Sequence, residues 1–203
     1  DGVSSITFER CAFNDFVLGE MNDVAASNVH LKHCLFRSGI ASNGGSGSTL
    51  PQGLLVENCI IEGGIHFGAN NIASAQVTQC ILLDMTTATN ENAGVTFTNN
   101  IFTRYAGLYS LNSASTYACN LFCMTTGTTL SWTGATDQGG NIGWQLTSNN
   151  VFVDVPTYSD YDEDYDYHLA IGSPGASLTC TLNEAGIYGG PFGASWKEGG
   201  IPF

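Results

Sequence analysis

Glu62 and Asp84 are two carboxylates spaced by about one repeat of this chain's apolar pattern; Arg104 follows one repeat later, and His66 stands just after Glu62. Two carboxyl groups held about 5–5.5 Å apart hydrolyse a glycosidic bond with retention, and at about 6.5–9.5 Å with inversion. In that reading Glu62 and Asp84 are the catalytic pair, Arg104 keeps one of them ionised, and His66 lies on the strand that follows. Tyr105, Tyr109, Trp132 and Trp144 supply aromatic surfaces on which sugar rings stack. A second cluster is "SDYDEDYDYH", Ser159 to His168, in which Asp160, Asp162, Asp164 and Asp166 alternate. Several carboxylates on one side of an extended segment suit calcium. The run lacks the turn glycine and closing glutamate of an EF-hand loop, and a solvated acidic loop is the competing reading.

These residues are positioned by a repeat. Aligning "SITFERCAFND", "NVHLKHCLFRS", "LLVENCIIEG", "AQVTQCILLD", "GVTFTNNIFTR", "STYACNLFCM" and "QLTSNNVFVD" brings Cys11, Cys34, Cys59, Cys80, Asn100, Asn120 and Asn150 into one column. Successive spacings are 23, 25, 21, 20, 20 and 30 residues. Two residues past the column stand Phe13, Phe36, Ile61, Leu82, Phe102, Phe122 and Phe152. Apolar pairs such as Ile6 with Phe8, Val29 with Leu31 and Val95 with Phe97 precede it. Period-two apolar positions on both sides of a fixed polar column predict two short strands joined at a bend, repeated coil after coil. Helix-free repeats of this length cannot bury their own apolar faces and must stack, about 4.8 Å apart, as parallel strands. The column asparagines then sit above one another, amide bonded to amide and to turn backbone, because buried polar groups persist only when satisfied. A third strand follows in each coil, at "FVLG" 16–19, "IAS" 40–42, "IHFG" 65–68, "TTAT" 86–89, "LYSL" 108–111 and "TLSW" 129–132, with variable loops after each.

The chain resembles a right-handed parallel β-helix of the pectate-lyase-like superfamily over residues 4–154, on the apolar-x-apolar-x-x-[Cys/Asn]-x-[Phe/Ile/Leu] repeats just given. Its tail, "YHLAIGSPGASLTCTLNEAGIYGGPFGASWKEGGIPF", resembles the closing segment of secreted β-helix proteins of Bacteroidetes type. The fold expected is therefore an all-β, right-handed parallel β-helix solenoid of about seven coils, residues 1–154, followed by an acidic loop and an irregular C-terminal capping segment, 155–203, of the same domain. The resemblance implies an extracellular, periplasmic or cell-surface location and a glycan or polysaccharide partner. Lyases of that superfamily use Lys or Arg to neutralise a uronate and take its proton, often with calcium as a bridge. Here only five Lys and Arg are present, which disfavours a lyase unless Arg104 is the base.

With 203 residues, 43% of them hydrophobic, the chain is long enough for a single buried core. A formal net charge of −13, from 5 Lys+Arg against 18 Asp+Glu, opposes nucleic acid, anionic membranes and polyanions. No apolar run approaches the length of a membrane span, so membrane insertion is not expected. The chain does not begin with Met, and strand pattern starts by Ile6, which reads as a piece of a longer protein; a missing N-terminal segment or a partner is expected to cap the first coil. The glycine-rich "SNGGSGSTLPQG" lacks the Lys-Ser/Thr of a phosphate cradle.

Of seven cysteines, four fall in the inward column, where stacked thiols behave as small buried hydrophobes; an odd count in a core location leaves most of them free. Glu9, Lys32 and Glu57 lie two residues before the column on consecutive coils, and Asp15, Arg37, Glu62, Asp84 and Arg104 three or four after it. Interleaved signs at one coil spacing form a surface ion-pair ladder. His30 and His33 read as surface and bend residues, and His168 as part of the tail motif. Threonine runs such as "TTGTT" are of the kind an ice-binding face uses, but they do not recur at one column of every coil, so an ice-binding face is not expected.

Two functions follow. One is a carbohydrate-interacting surface solenoid, binding or structural, with its groove along the third strand and no cofactor required. The other is a polysaccharide hydrolase, or a calcium-dependent lyase, working through Glu62 and Asp84.

Overall fold

A computed structural model describes residues 5–19, 28–43, 53–67, 75–83, 95–105, 115–124, 130, 132, 135–145, 151–155 and 161–177. The chain is a parallel β-solenoid. One seven-stranded parallel sheet stacks, in chain order, Ile6–Glu9, Val29–Lys32, Leu54–Glu57, Ala75–Thr78, Val95–Thr98, Thr116–Ala118 and Thr136–Asp137. A second stacks Ala12–Phe13, Leu35–Phe36, Ile60–Glu62, Ile81–Leu83, Ile101–Tyr105, Leu121–Met124 and Ile142–Gln145. The third sheet is described for three coils only, Phe16–Gly19, Ile40–Asn43 and Ile65–Phe67. Among the described residues three coils carry a strand on all three sides, and the first two sheets carry seven rungs each, against the seven coils expected. The third strands expected at 86–89 and 108–111 lie outside the described residues. At 129–132 only Leu130 and Trp132 are described, and neither is in a strand.

Each corner between the first two sheets is built from two adjacent columns. Arg10, His33, Asn58, Gln79, Asn99 and Cys119 all take left-handed backbone, φ between 51° and 58°. For L-residues that conformation costs about 1–2 kcal/mol. It is held because each of their N–H groups donates to a carbonyl of the next coil, from Lys32, Glu57, Thr78, Thr98, Ala118 and Gly139 in turn.

The residue that follows points inward and links the coils. Cys34 and Cys59 N–H donate to the Sγ of Cys59 and Cys80 at 3.4 Å, Cys80 N–H to Asn100 Oδ1 at 2.8 Å, and Asn100 N–H to Asn120 Oδ1 at 2.9 Å. In return the Cys59 and Cys80 thiols donate to the carbonyls of Leu31 and Val56, and the Asn100 and Asn120 amides to those of Val77 and Phe97. Thiol and amide thus do the same job, which is why one column accepts both. Burial and neighbouring thiols push Cys34 and Cys59 far above the usual thiol range, so they stay protonated donors. Cys11, Cys34, Cys59, Cys80 and Cys123 are free, whereas Cys119 is disulfide-bonded to a residue outside the described ones.

The seventh member of the column is Asn141, not Asn150. Asn120 N–H and Nδ2 both donate to Asn141 Oδ1 at 2.9 Å. Asn141 stands 21 residues after Asn120, in keeping with the earlier coils, where the aligned Asn150 required 30. The signal was obscured because Gly139 and Gly140, both at positive φ, replace a side-chain-bearing corner residue. Asn150 lies outside the described residues, and Phe152 belongs to no coil. The strand Phe152–Asp154, which the repeat alignment counts with the coils, instead pairs antiparallel with Asp166–Leu169.

Two apolar clusters result. The solenoid interior holds Leu31, Phe36, Val56, Ile61, Val77, Leu82, Phe97, Phe102, Tyr117 and Phe122, with Phe102 stacked on Phe122 at 4.6 Å and Phe97 on Tyr117 at 4.9 Å. A second cluster lies on the outer flank of the second sheet, where Leu35, Ile60, Ile81, Leu83, Ile101 and Leu121 meet Val151, Phe152, Val155 and Tyr167. The described part of the closing segment therefore lies against this flank. Among the described residues no helix is long and apolar enough to cross a membrane.

Candidate functional site

Glu62 ends the second-sheet strand of the third coil, and its Oε1 accepts a short hydrogen bond from the Tyr161 N–H. Arg37, three residues past Cys34 as Glu62 is past Cys59, sets its guanidinium 6.0 Å from the centre of the Tyr161 ring. Tyr161 stacks on Tyr167 at 5.6 Å, and Tyr167 packs edge-on against Phe152 at 5.5 Å. Burial raises both phenols above the usual tyrosine range, with Glu163 adding to the rise at Tyr161, so the rings stay neutral. Charge, ring and backbone together clamp the segment after residue 160 to the solenoid.

The residue in register with Glu62 on the next coil is the buried Leu83, not Asp84. Asp84 is one position further on and lies outside the described residues. Arg104 belongs to the strand Ile101–Tyr105, whose register shifts between Phe102 and Tyr105. The position matching Glu62 on that coil is Thr103, buried and donating its hydroxyl to the Leu82 carbonyl at 3.3 Å. The corner ladder expected through Arg37, Glu62, Asp84 and Arg104 is therefore not one column. His66 is placed by its backbone on the third sheet, beside Ala41. Of the four catalytic candidates, Glu62 has a described side chain, and that side chain holds the closing segment.

The aromatic candidates separate in the same way. Trp132 packs against the core, 5.8 Å from the Tyr117 ring and 5.9 Å from Phe122. Trp144 is half-buried in the flank cluster, and its indole N–H is buried without a hydrogen-bond partner among the described residues. Tyr105 is the last residue of its strand, placed by backbone alone, and Tyr109 lies outside the described residues.

In the acidic run, Asp162 Oδ1 accepts the Asp164 N–H at 2.9 Å and its carbonyl the Tyr165 N–H at 3.2 Å, closing a turn. Asp166 Oδ1 meets His168 Nδ1 at 2.6 Å and accepts the His168 N–H at 3.1 Å. Asp164 is exposed, and Asp160 lies outside the described residues. Among the described residues no three His, Cys, Asp or Glu side chains converge on a point where a cation could sit.

The outward residues before the column do align: Glu9 is in register with Lys32 and Lys32 with Glu57. His30 joins them, its Nε2 3.2 Å from Glu57 Oε2, and His33 Nδ1 stands 3.7 Å from Glu9 Oε1.

The sequence reading missed the clamp formed by Arg37, Glu62 and Tyr161. A signal was present: the residue directly after the column is apolar on six coils, as Leu35, Ile60, Ile81, Ile101, Leu121 and Ile142, and only Ala12 breaks the run. A second-sheet strand apolar on both faces is one that something else covers. Fold and site define a parallel β-solenoid with a strapped flank. No family model, no curated protein and no solved structure matches the chain.

Proposed function

We propose that this chain is a secreted or surface-exposed, carbohydrate-interacting solenoid that binds or scaffolds and does not catalyse. The observation carrying the reading is that Glu62, the described carboxylate on which hydrolysis would depend, is committed to the Tyr161 N–H. That bond gives Glu62 a structural role, fastening the segment at Tyr161, which accounts for the residue without catalysis. The Cys119 disulfide supports an oxidising, non-cytosolic location. The assignment to the pectate-lyase-like superfamily, and to secreted proteins of Bacteroidetes type, is part of the proposal and rests on the repeat and tail motifs. So is the glycan partner.

The tail motif supports this by what its residues do: Tyr167 accepts the Asp162 N–H on its hydroxyl, and Ser173 Oγ accepts the Gly175 N–H. These are folding contacts. The reading also has the first coil capped by a further segment or a partner, because Ile6, Phe8, Phe13 and Phe16 are only half-buried there.

The test is chromatography of soluble products after incubating the pure chain with neutral and acidic polysaccharides, with and without calcium. Intact polymers together with retention of the protein on one of them support the proposal. Defined oligosaccharides would establish the hydrolase instead, and unsaturated ends the lyase, with calcium as its bridge.

A further inference from the structure

The outer face of the first sheet presents two columns of side chains, and their chemistry changes halfway along. On the first three rungs one column carries Glu9, Lys32 and Glu57 and the other Thr7, His30 and Leu55. From the fourth rung on, the registers Gln76 to Thr96 to Thr116 to Thr136 and Thr78 to Thr98 to Ala118 carry no charge. Threonines thus line up on three successive rungs of one column and two of the other, an order that the scattered runs in the sequence did not disclose. Their spacing is about 4.8 Å across rungs and about 6.6 Å along each strand. The Thr116 hydroxyl bonds that of Thr96 at 3.1 Å, so neighbouring rungs of this column are in hydrogen-bond contact. The flank formed by the second sheet is covered by the closing segment, whereas these positions of the first sheet remain at least partly exposed.

We propose that this uncharged half of the first sheet is a platform for a neutral, extended polysaccharide. The inference rests on the carbohydrate reading above and specifies its site and ligand class. A chain of net charge −13 repels uronate polymers, and this half has no cation with which to offset that. It offers instead rows of hydroxyls and methyls at regular spacing, matching a polymer that repeats hydroxyls and apolar ring faces along its length. With no aromatic side chain among its described outward residues, such a face binds by summing many weak contacts, so affinity rises with chain length.

Affinity gel electrophoresis in mixed-linkage β-glucan, galactomannan and xylan, with polygalacturonate as the charged control, tests this. The intact chain is expected to be retarded by at least one neutral polymer, and short oligosaccharides from it to compete poorly. Thr96→Glu and Thr116→Glu are expected to weaken retention about tenfold, while Thr7→Glu, the same change on the charged half, leaves it unaltered. Urea midpoints of the three variants, matched to the parent, establish that each is folded. Retention that survives both platform variants overturns the platform and leaves the carbohydrate reading standing. Retention in no polymer overturns both. Retardation by polygalacturonate alone, or shaping of ice crystals with no glycan bound, assigns the face to another ligand and overturns the platform.

Discussion

The two ends of the solenoid are finished differently. On the first rung Ile6, Phe8, Phe13 and Phe16 point inward with nothing described above them, and all four are half-exposed. Phe8, Phe13 and Phe16 contact one another at 4.9–6.0 Å, and Phe13 stacks on the buried Phe36 at 5.2 Å. At the other end the inward positions turn polar or vanish: Asp137 stands in register with Tyr117, and Gly143 with Phe122. Asp137 is occupied with Asn141 Nδ2 at 2.6 Å and the Gly139 N–H at 2.8 Å, while Leu130 and Trp132 plug the core. Among the described residues, one end leaves apolar side chains half-exposed and the other sets polar residues and a tryptophan over the core. A stack of identical rungs has no intrinsic stopping point, so termination has to be written into side chains.

The contrast can be broken with paired substitutions, read as urea midpoints. Trp132→Ala should have the largest effect, about 3 kcal/mol, because it uncovers Tyr117 and Phe122. Phe13→Ala, on the open rung, should cost about half as much, since its ring already gains less from burial. Equal losses would mean that the first rung is as well covered as the last.

Next in size is the column, which is thiol toward the open end and amide toward the closed one. Asn100→Ala orphans the Cys80 N–H and the Val77 carbonyl, and should cost about 2 kcal/mol. Asn100→Cys should cost clearly less, because Cys80 already makes both bonds with sulfur one rung below. If the two variants were equally unstable, thiol and amide would not be interchangeable at that site.

The clamp is weaker. Glu62→Gln should loosen the closing segment by about 1 kcal/mol, seen as faster proteolysis after residue 155 with the solenoid's own midpoint nearly unchanged. A fall in the solenoid midpoint as large as that for Asn100→Ala would show Glu62 to be part of the coil framework.

The smallest effect expected is pH dependence near the open end. His33 is buried at the corner, and that burial, followed by Lys32 and Arg10, lowers its pKa below 6.5, against the pull of Glu9 and Glu57. The unfolded chain therefore takes the proton first. The stability His33 contributes is present above pH 6.5 and is lost as pH falls through its lower folded value. His33→Asn, which keeps a side chain tolerant of left-handed backbone, should flatten the midpoint-against-pH curve below pH 6.5. An unaltered slope would move the origin to another group.

Most of the fold was legible because a solenoid repeats itself. Period-two apolar pairs flanking Cys11, Cys34, Cys59, Cys80, Asn100 and Asn120 fixed strands, bend and stacking together, since each coil sees nearly the same neighbours as the last. Where the repeat changed, at Gly139 and Gly140, the alignment passed to Asn150 and lost the last rung, because a glycine corner keeps the geometry while erasing the side-chain signal. The candidate site was less legible. Glu62 and Asp84 were paired by their distance from the column, and a difference of one residue decides register: it set Leu83 beside Glu62 and left the carboxylates at different positions.

By itself, then, the sequence determined the parallel stacking, the inward column and its polar satisfaction, and the scarcity of cations. Those properties are local or recur at fixed spacing, and so can be read along the chain. Only the tertiary structure decided that the closing segment lies on the second sheet's flank, that Glu62 and Arg37 hold Tyr161, and that Thr96, Thr116 and Thr136 fall into line. The threonines keep the coil spacing, and it is the paired register that sets them in one row. The first two join residues whose separation follows no period: Glu62 and Tyr161 are 99 residues apart. Contacts of that kind are settled by which surfaces remain uncovered once the coils have stacked.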